Sequence, residues 1–165
     1  MLRHRMIAAL SVVLALIALR ASAAHAQTAG DASGAVAIVV HPATKIDNLT
    51  FDELRRIFRG ERQFWPDGSR VTLLVRAPVT QERKLVLQKI YRMNEDAFRQ
   101  YWIAKMFRAE IAAGPKIVYS SEMARELVTA IPGAIGFMPL GSVGAGVKVV
   151  RIDGRLPSDP NYSLK

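Results

Sequence analysis

Two rhythms of apolar and polar residues run along this chain. Ala35–Val40 is a continuous apolar run, AVAIVV, of the length expected for a strand buried on both faces. Val71–Val75, Lys116–Tyr119, Ala134–Met138 and Val147–Ile152 are read as further strands on the same ground. Between them the apolar spacing turns helical. Phe51, Leu54, Ile57 and Phe58 share one face of a helix predicted over Thr50–Arg59. Thr50 followed three residues on by Glu53 makes a capping box, and Gly60 offers the left-handed residue that ends the helix. Pro66-Asp67-Gly68 reads as a tight turn with Trp65 packed beneath it. Thr80 caps a second helix to Tyr91, with Leu85, Ile90 and Tyr91 among its apolar positions. Asn94 caps a third, Glu95–Arg108, whose Phe98, Tyr101, Trp102 and Phe107 are read as core. Ser120 or Ser121 caps a fourth, to about Ala130, and Pro132-Gly133 stops it. Strands alternating with helices predict an α/β layer structure, a mostly parallel sheet flanked by helices.

The first 26 residues follow a different plan. Arg3 and Arg5 precede an apolar run from Met6 to Leu19, and Ala24-His25-Ala26 supplies a small-residue cleavage pattern. This is the layout of a secretory signal peptide and too short for a comfortable membrane span. The sequence therefore divides into a signal peptide (1–26), a flexible lead-in (27–34), an α/β domain (35–152) and a polar, turn-rich tail (153–165). Cleavage removes Arg3, Arg5 and Arg20 and no acid, so the net charge falls from +9 to +6. The expected location is the periplasm, with no integral membrane segment after cleavage. A basic exported domain attracts anionic solutes, lipid headgroups or acidic proteins. Nucleic acid is not expected, since no zinc knuckle or recognition-helix pattern is present.

Candidate chemistry is sparse. The chain has no cysteine, and His41 is the one histidine beyond the signal segment, so neither a structural zinc site nor a Ser-His-Asp triad is expected. No cofactor motif is visible, and no enzyme is expected. Ligands of open α/β sheets sit outside the carboxyl ends of the strands, where helix N-termini offer free N–H groups to anions. Two loops have this form, Arg76–Thr80 and Tyr119–Glu122. Arg76 can neutralise an oxyanion, while Thr80, Ser120 and Ser121 can donate hydroxyl hydrogen bonds. The same residue types are accounted for if Thr80 and Ser120 are only caps and Arg76 only a surface charge. Arg55, Arg56, Arg59 and Arg62 form a basic stripe, either a docking face or an ordinary solvated one.

The order of residues adds a resemblance. LTFDELRRIFRGERQFWPDG, Leu49 to Gly68, resembles the segment L(T/S)xxELxxIFxGxxxxWxDG of periplasmic phosphate-binding-like proteins, the solute-binding subunits of ABC importers. PGAIGFMP, Pro132–Pro139, resembles a second segment, and the likeness extends over about residues 36 to 152. It implies a single Rossmann-like lobe of a type II periplasmic-binding-protein fold, lacking most of the first lobe. It also implies binding of phosphate or another small oxyanion, with an ABC permease or another envelope protein as partner. The family's phosphate loop resembles R-x-D-x-S-G-T, and the aligned run here is RAPVTQE. Arg76 matches the arginine and Thr80 can replace the serine hydroxyl. Pro78, Gln81 and Glu82 stand at the aspartate, glycine and threonine, and Glu82 repels an anion. The departures support an alternative: a ligand-free interaction or sensory module on the same fold.

Overall fold

The computed structural model describes residues 34–165, so the expected signal peptide and nearly all of the expected lead-in lie outside the described residues. The elements are β1 (Val36–Val40), β2 (Asn48–Leu49), α1 (Phe51–Phe58), β3 (Thr72–Arg76), α2 (Gln81–Val86), α3 (Glu95–Phe107), β4 (Lys116–Val118), α4 (Ser121–Ala130), β5 (Ala134–Pro139), β6 (Lys148–Val149) and β7 (Arg151–Ile152). Five strands form one sheet in the order β4-β3-β5-β1-β6, and β2 and β7 pair separately. β3 runs parallel to β4 and β5, while β1 is antiparallel to both β5 and β6. Four of the five strands therefore point the same way, and β1 is the reversed one.

Both faces of the sheet are covered, which is why its strands read as unbroken apolar runs. Val36, Ile38, Val40, Leu73, Val75, Ile135 and Phe137 face Leu54 and Phe58 of α1, Ile90 and Tyr91 of the turn that follows α2, and Phe98 and Trp102 of α3. Ala37, Val39, Leu74, Ala134 and Met138 face Ala124 and Val128 of α4. The alternate residues of each strand thus belong to different layers. Tyr91 stacks edge-on against Phe98 at 4.8 Å and donates its buried hydroxyl to the Phe58 carbonyl at 2.6 Å. That bond ties α1 to the turn that follows α2.

Helix ends follow the local chemistry closely. Thr50 accepts from the Glu53 N–H while Glu53 reaches back to the Thr50 N–H, and Thr80, Asn94 and Ser120 each cap their helices. Gly60 takes a φ of 65° just past α1. Trp65 is buried under the turn and donates Nε1 to the Gly133 carbonyl at 2.9 Å, which joins the two segments that carry the family likeness.

Five features depart from the sequence reading. The segment after Val86 widens into a π-helical turn, Leu87–Tyr91, closed by Arg92 at a φ of 55°. The run Val147–Ile152 divides into two strands, because β6 adds to β1 while β7 pairs with β2. β2 has two residues and no periodic signal. Phe107 is 92% exposed rather than core. It lies nine residues after Phe98, which at 100° per residue places it on the opposite side of α3. Finally, the segment 153–165 carries buried Tyr162 and Leu164 into the first layer, and Val36 donates its N–H to the Leu164 carbonyl at 2.9 Å. No helix among the described residues is long and apolar enough to cross a membrane.

Candidate functional site

The two candidate loops leave adjacent parallel strands. Arg76 lies opposite Val118 in the β3–β4 register, and Ala77 donates its N–H to the Val118 carbonyl at 2.8 Å. Thr80 and Ser120, four and two residues further on, then open α2 and α4. The fold thus brings Arg76, Thr80, Ser120 and Ser121 to one corner at the carboxyl ends of β3 and β4.

Each side chain has a definite task there. Thr80 Oγ1 accepts from the Arg83 N–H at 3.4 Å and donates to the Ala77 carbonyl at 3.3 Å. Ser120 Oγ accepts from the Met123 N–H at 3.0 Å. Both are therefore caps, and their oxygens already serve the backbone. Ser121 begins α4 and is half-buried, and its hydroxyl makes no hydrogen bond to the described residues.

Arg76 is not a surface charge. Only 7% of it is exposed, and its Nε donates to Glu82 Oε1 at 2.7 Å, with Glu82 itself 9% exposed. Glu82 is the residue that the sequence set against anion binding. It lies on the arginine and neutralises it. The guanidinium still has a donor to spare: its Nη1 is buried and has no hydrogen-bond partner among the described residues. A buried donor without an acceptor costs about 1–3 kcal/mol.

A second ion pair, not foreseen from sequence, braces this corner, with Arg83 buried and Glu95 partly exposed. Arg83 donates from Nε and Nη2 to Glu95 at 2.7 Å each, a bidentate contact, and from Nη1 to the Arg76 carbonyl at 2.6 Å. Its guanidinium also lies over the Phe98 ring at 4.8 Å. The network Glu95–Arg83–Arg76–Glu82 fixes the end of β3 against α2 and α3. One signal for it was available. Arg83 lies three, four and seven residues before Val86, Leu87 and Ile90, so a charge occupies the apolar stripe of α2.

Glu122 adds negative charge on the other loop. Its own backbone N–H and the Ser120 hydroxyl hold its carboxyl below the usual carboxylate range, with smaller help from Arg125 and Arg76. An incoming anion at Arg76 thus meets two carboxylates.

The other sequence candidates resolve into local pairings. Arg55 and Arg56 pair with Asp52, Arg59 with Glu61 and Arg62 with Glu53, so the basic stripe on α1 is largely neutralised. His41 accepts at Nδ1 from the Ala43 N–H. Among the described residues no cluster of three or more His, Asp or Glu is arranged to hold a metal.

No protein-family model and no curated protein sequence matches this chain. Solved structures do match its fold. An ABC-type phosphate transport receptor from Vibrio cholerae superposes with a TM-score of 0.61 at 24% identity, over 74% of this chain and 48% of that one. PstS from Borrelia burgdorferi superposes with a TM-score of 0.61 at 20% identity, over 79% and 53%. A putative phosphate ABC transporter substrate-binding protein with bound phosphate, from Clostridium perfringens, gives 0.59 at 18%, over 73% and 45%. The protein therefore has the fold of the substrate-binding proteins of phosphate ABC transporters, and it spans about half the length of the structures it matches.

Proposed function

We propose that this chain is an exported, non-catalytic binding protein that holds a small oxyanion, phosphate foremost, for an ABC importer. The observation that carries this reading is the Arg76 guanidinium, buried at the carboxyl ends of two parallel strands with Nη1 lacking an acceptor. In this reading Nη1 takes one anion oxygen. Ser121 supplies a hydroxyl, and the amino end of α4 adds partial positive charge. Thr80 and Ser120 act as caps that fix the two loops, so they shape the site without touching the ligand. Glu82 holds the arginine in place and weakens its attraction for an anion. Residues 34–165 offer one wall of a site, and small ligands need most of their surface buried. The second wall comes from another lobe or a partner.

A second reading rests on the Arg76–Glu82 pair itself. An internal carboxylate on the arginine performs the charge neutralisation that a ligand would, which suits an envelope interaction module that works without a solute.

A thermal-shift titration of the purified protein with phosphate, sulfate, molybdate and small carboxylates separates the two. At 100 times the dissociation constant, a specific anion adds about 2.7 kcal/mol of stability. The Arg76→Met/Glu82→Leu double variant replaces the buried pair by apolar groups, which is often tolerated, and it should lose that gain. A protein that responds to no anion favours the interaction module.

A further inference from the structure

The opposite end of the same strands holds a cavity of about 350 Å³. Its wall includes Leu73, near the start of β3, and Lys116, which begins β4. Arg76 lies four residues beyond Thr72, so this cavity opens roughly 13 Å from the oxyanion corner along the strand. The two sites are separate.

The lining has two parts. Ile57, Leu73, Trp102 and Ile111 make an apolar surface. Trp102 is buried, the far edge of its six-membered ring stands over Gly60, and its Nε1 has no hydrogen-bond partner among the described residues. Arg70 and Lys116 line the same cavity, are exposed and make no ion pair among the described residues. Arg62, the third cation there, is already held by Glu53. The cavity therefore combines an apolar interior with two uncommitted positive charges. An inorganic oxyanion leaves such an interior unfilled, and a neutral apolar molecule leaves the cations without a partner.

We propose that this cavity is a second binding site, for a small organic anion with a flat or branched apolar body and one carboxylate or sulfonate group. The body lies against Trp102 and Ile111, and the anionic group meets Arg70 and Lys116. The volume falls in the range of small-molecule pockets, and an apolar pocket with a few placed polar groups is the usual form of such sites.

Calorimetric titration of the full protein with 2-naphthoate, and with neutral 2-naphthol, tests the assignment. The acid should bind with one-to-one stoichiometry and about tenfold more tightly than the alcohol, since two partly solvated charge contacts together provide that factor. Arg70→Gln/Lys116→Gln changes only exposed side chains and should reduce the acid to the affinity of the alcohol. Excess phosphate should not displace the acid, and Arg76→Met/Glu82→Leu should bind it unchanged. Absence of saturable binding, or equal binding by wild type and the Arg70/Lys116 variant, would overturn the proposal. Competition by phosphate would instead assign the acid to the oxyanion corner and likewise end it.

Discussion

Glu82→Gln is expected to destabilise the protein by about 3 kcal/mol, because breaking a buried ion pair leaves a charge without compensation. Arg76 and Glu82 are both more than nine-tenths buried, and their contact is 2.7 Å long. Glutamine keeps an oxygen that can accept from Nε, so the loss is electrostatic more than steric. The same change removes a like charge from beside the proposed anion. Phosphate affinity should therefore rise about tenfold, a gain of about 1.4 kcal/mol that a charge a few ångströms away, already paired with Arg76, can supply. Chemical denaturation with and without phosphate measures both effects at once. The expected result is a less stable apo protein that phosphate rescues more strongly than it stabilises the wild type. A variant that is destabilised and indifferent to phosphate would assign the pair a purely structural role.

Gly133→Ala is the other large effect. Gly133 has a φ of 76°, and a Cβ there would stand 2.2 Å from the Arg70 carbonyl oxygen. Its own carbonyl accepts from Trp65 Nε1 at 2.9 Å and from the Thr72 N–H at 3.1 Å. The peptide therefore cannot move aside without releasing both donors. Left-handed strain and the clash together should cost about 3 kcal/mol or more, lowering the melting temperature by about 10 °C or more. Gly141→Ala is the control, since a Cβ there meets nothing within 4 Å, and it should change stability by less than about 0.5 kcal/mol. Equal melting temperatures for the two variants would contradict this account of the Trp65–Gly133 junction.

That junction shows why so much of the fold was readable. The Thr50/Glu53 capping box, the Gly60 stop, the Pro66-Asp67-Gly68 turn and the Pro132-Gly133 break depend on neighbours a few residues away, so the local order of residues signals them. The strands were readable because both sheet faces are covered. The direction of β1 was not, since an apolar run looks the same whichever way its neighbour points. Tyr162 and Leu164 were missed because they are isolated among turn residues, and no period marks their burial.

The meeting of the two loops at the strand ends was readable, and the burial of the charges there was not. Strand-end geometry placed Arg76, Thr80, Ser120 and Ser121 together. The caps followed from residue type, as the structural alternative for Thr80 and Ser120 had it. What the sequence could not display was burial of charge. Glu82 was read as a first-turn acid, and its fold partner six residues away emerges only when α2 packs against β3. Arg83 and Glu95 were hidden for the same reason, being twelve residues apart and on different helices.

In the proposed function, Arg76 uses its spare donor to hold an oxyanion at the corner formed by β3 and β4. Titration of phosphate into isotope-labelled protein, followed by NMR of arginine side-chain and backbone N–H signals, tests it most directly. Saturable shifts of the Arg76 guanidinium and of the Ser121 and Glu122 amides are expected, with the Arg83 guanidinium left in place by Glu95. Phosphate that leaves the Arg76, Ser121 and Glu122 signals unmoved at millimolar concentration would contradict it.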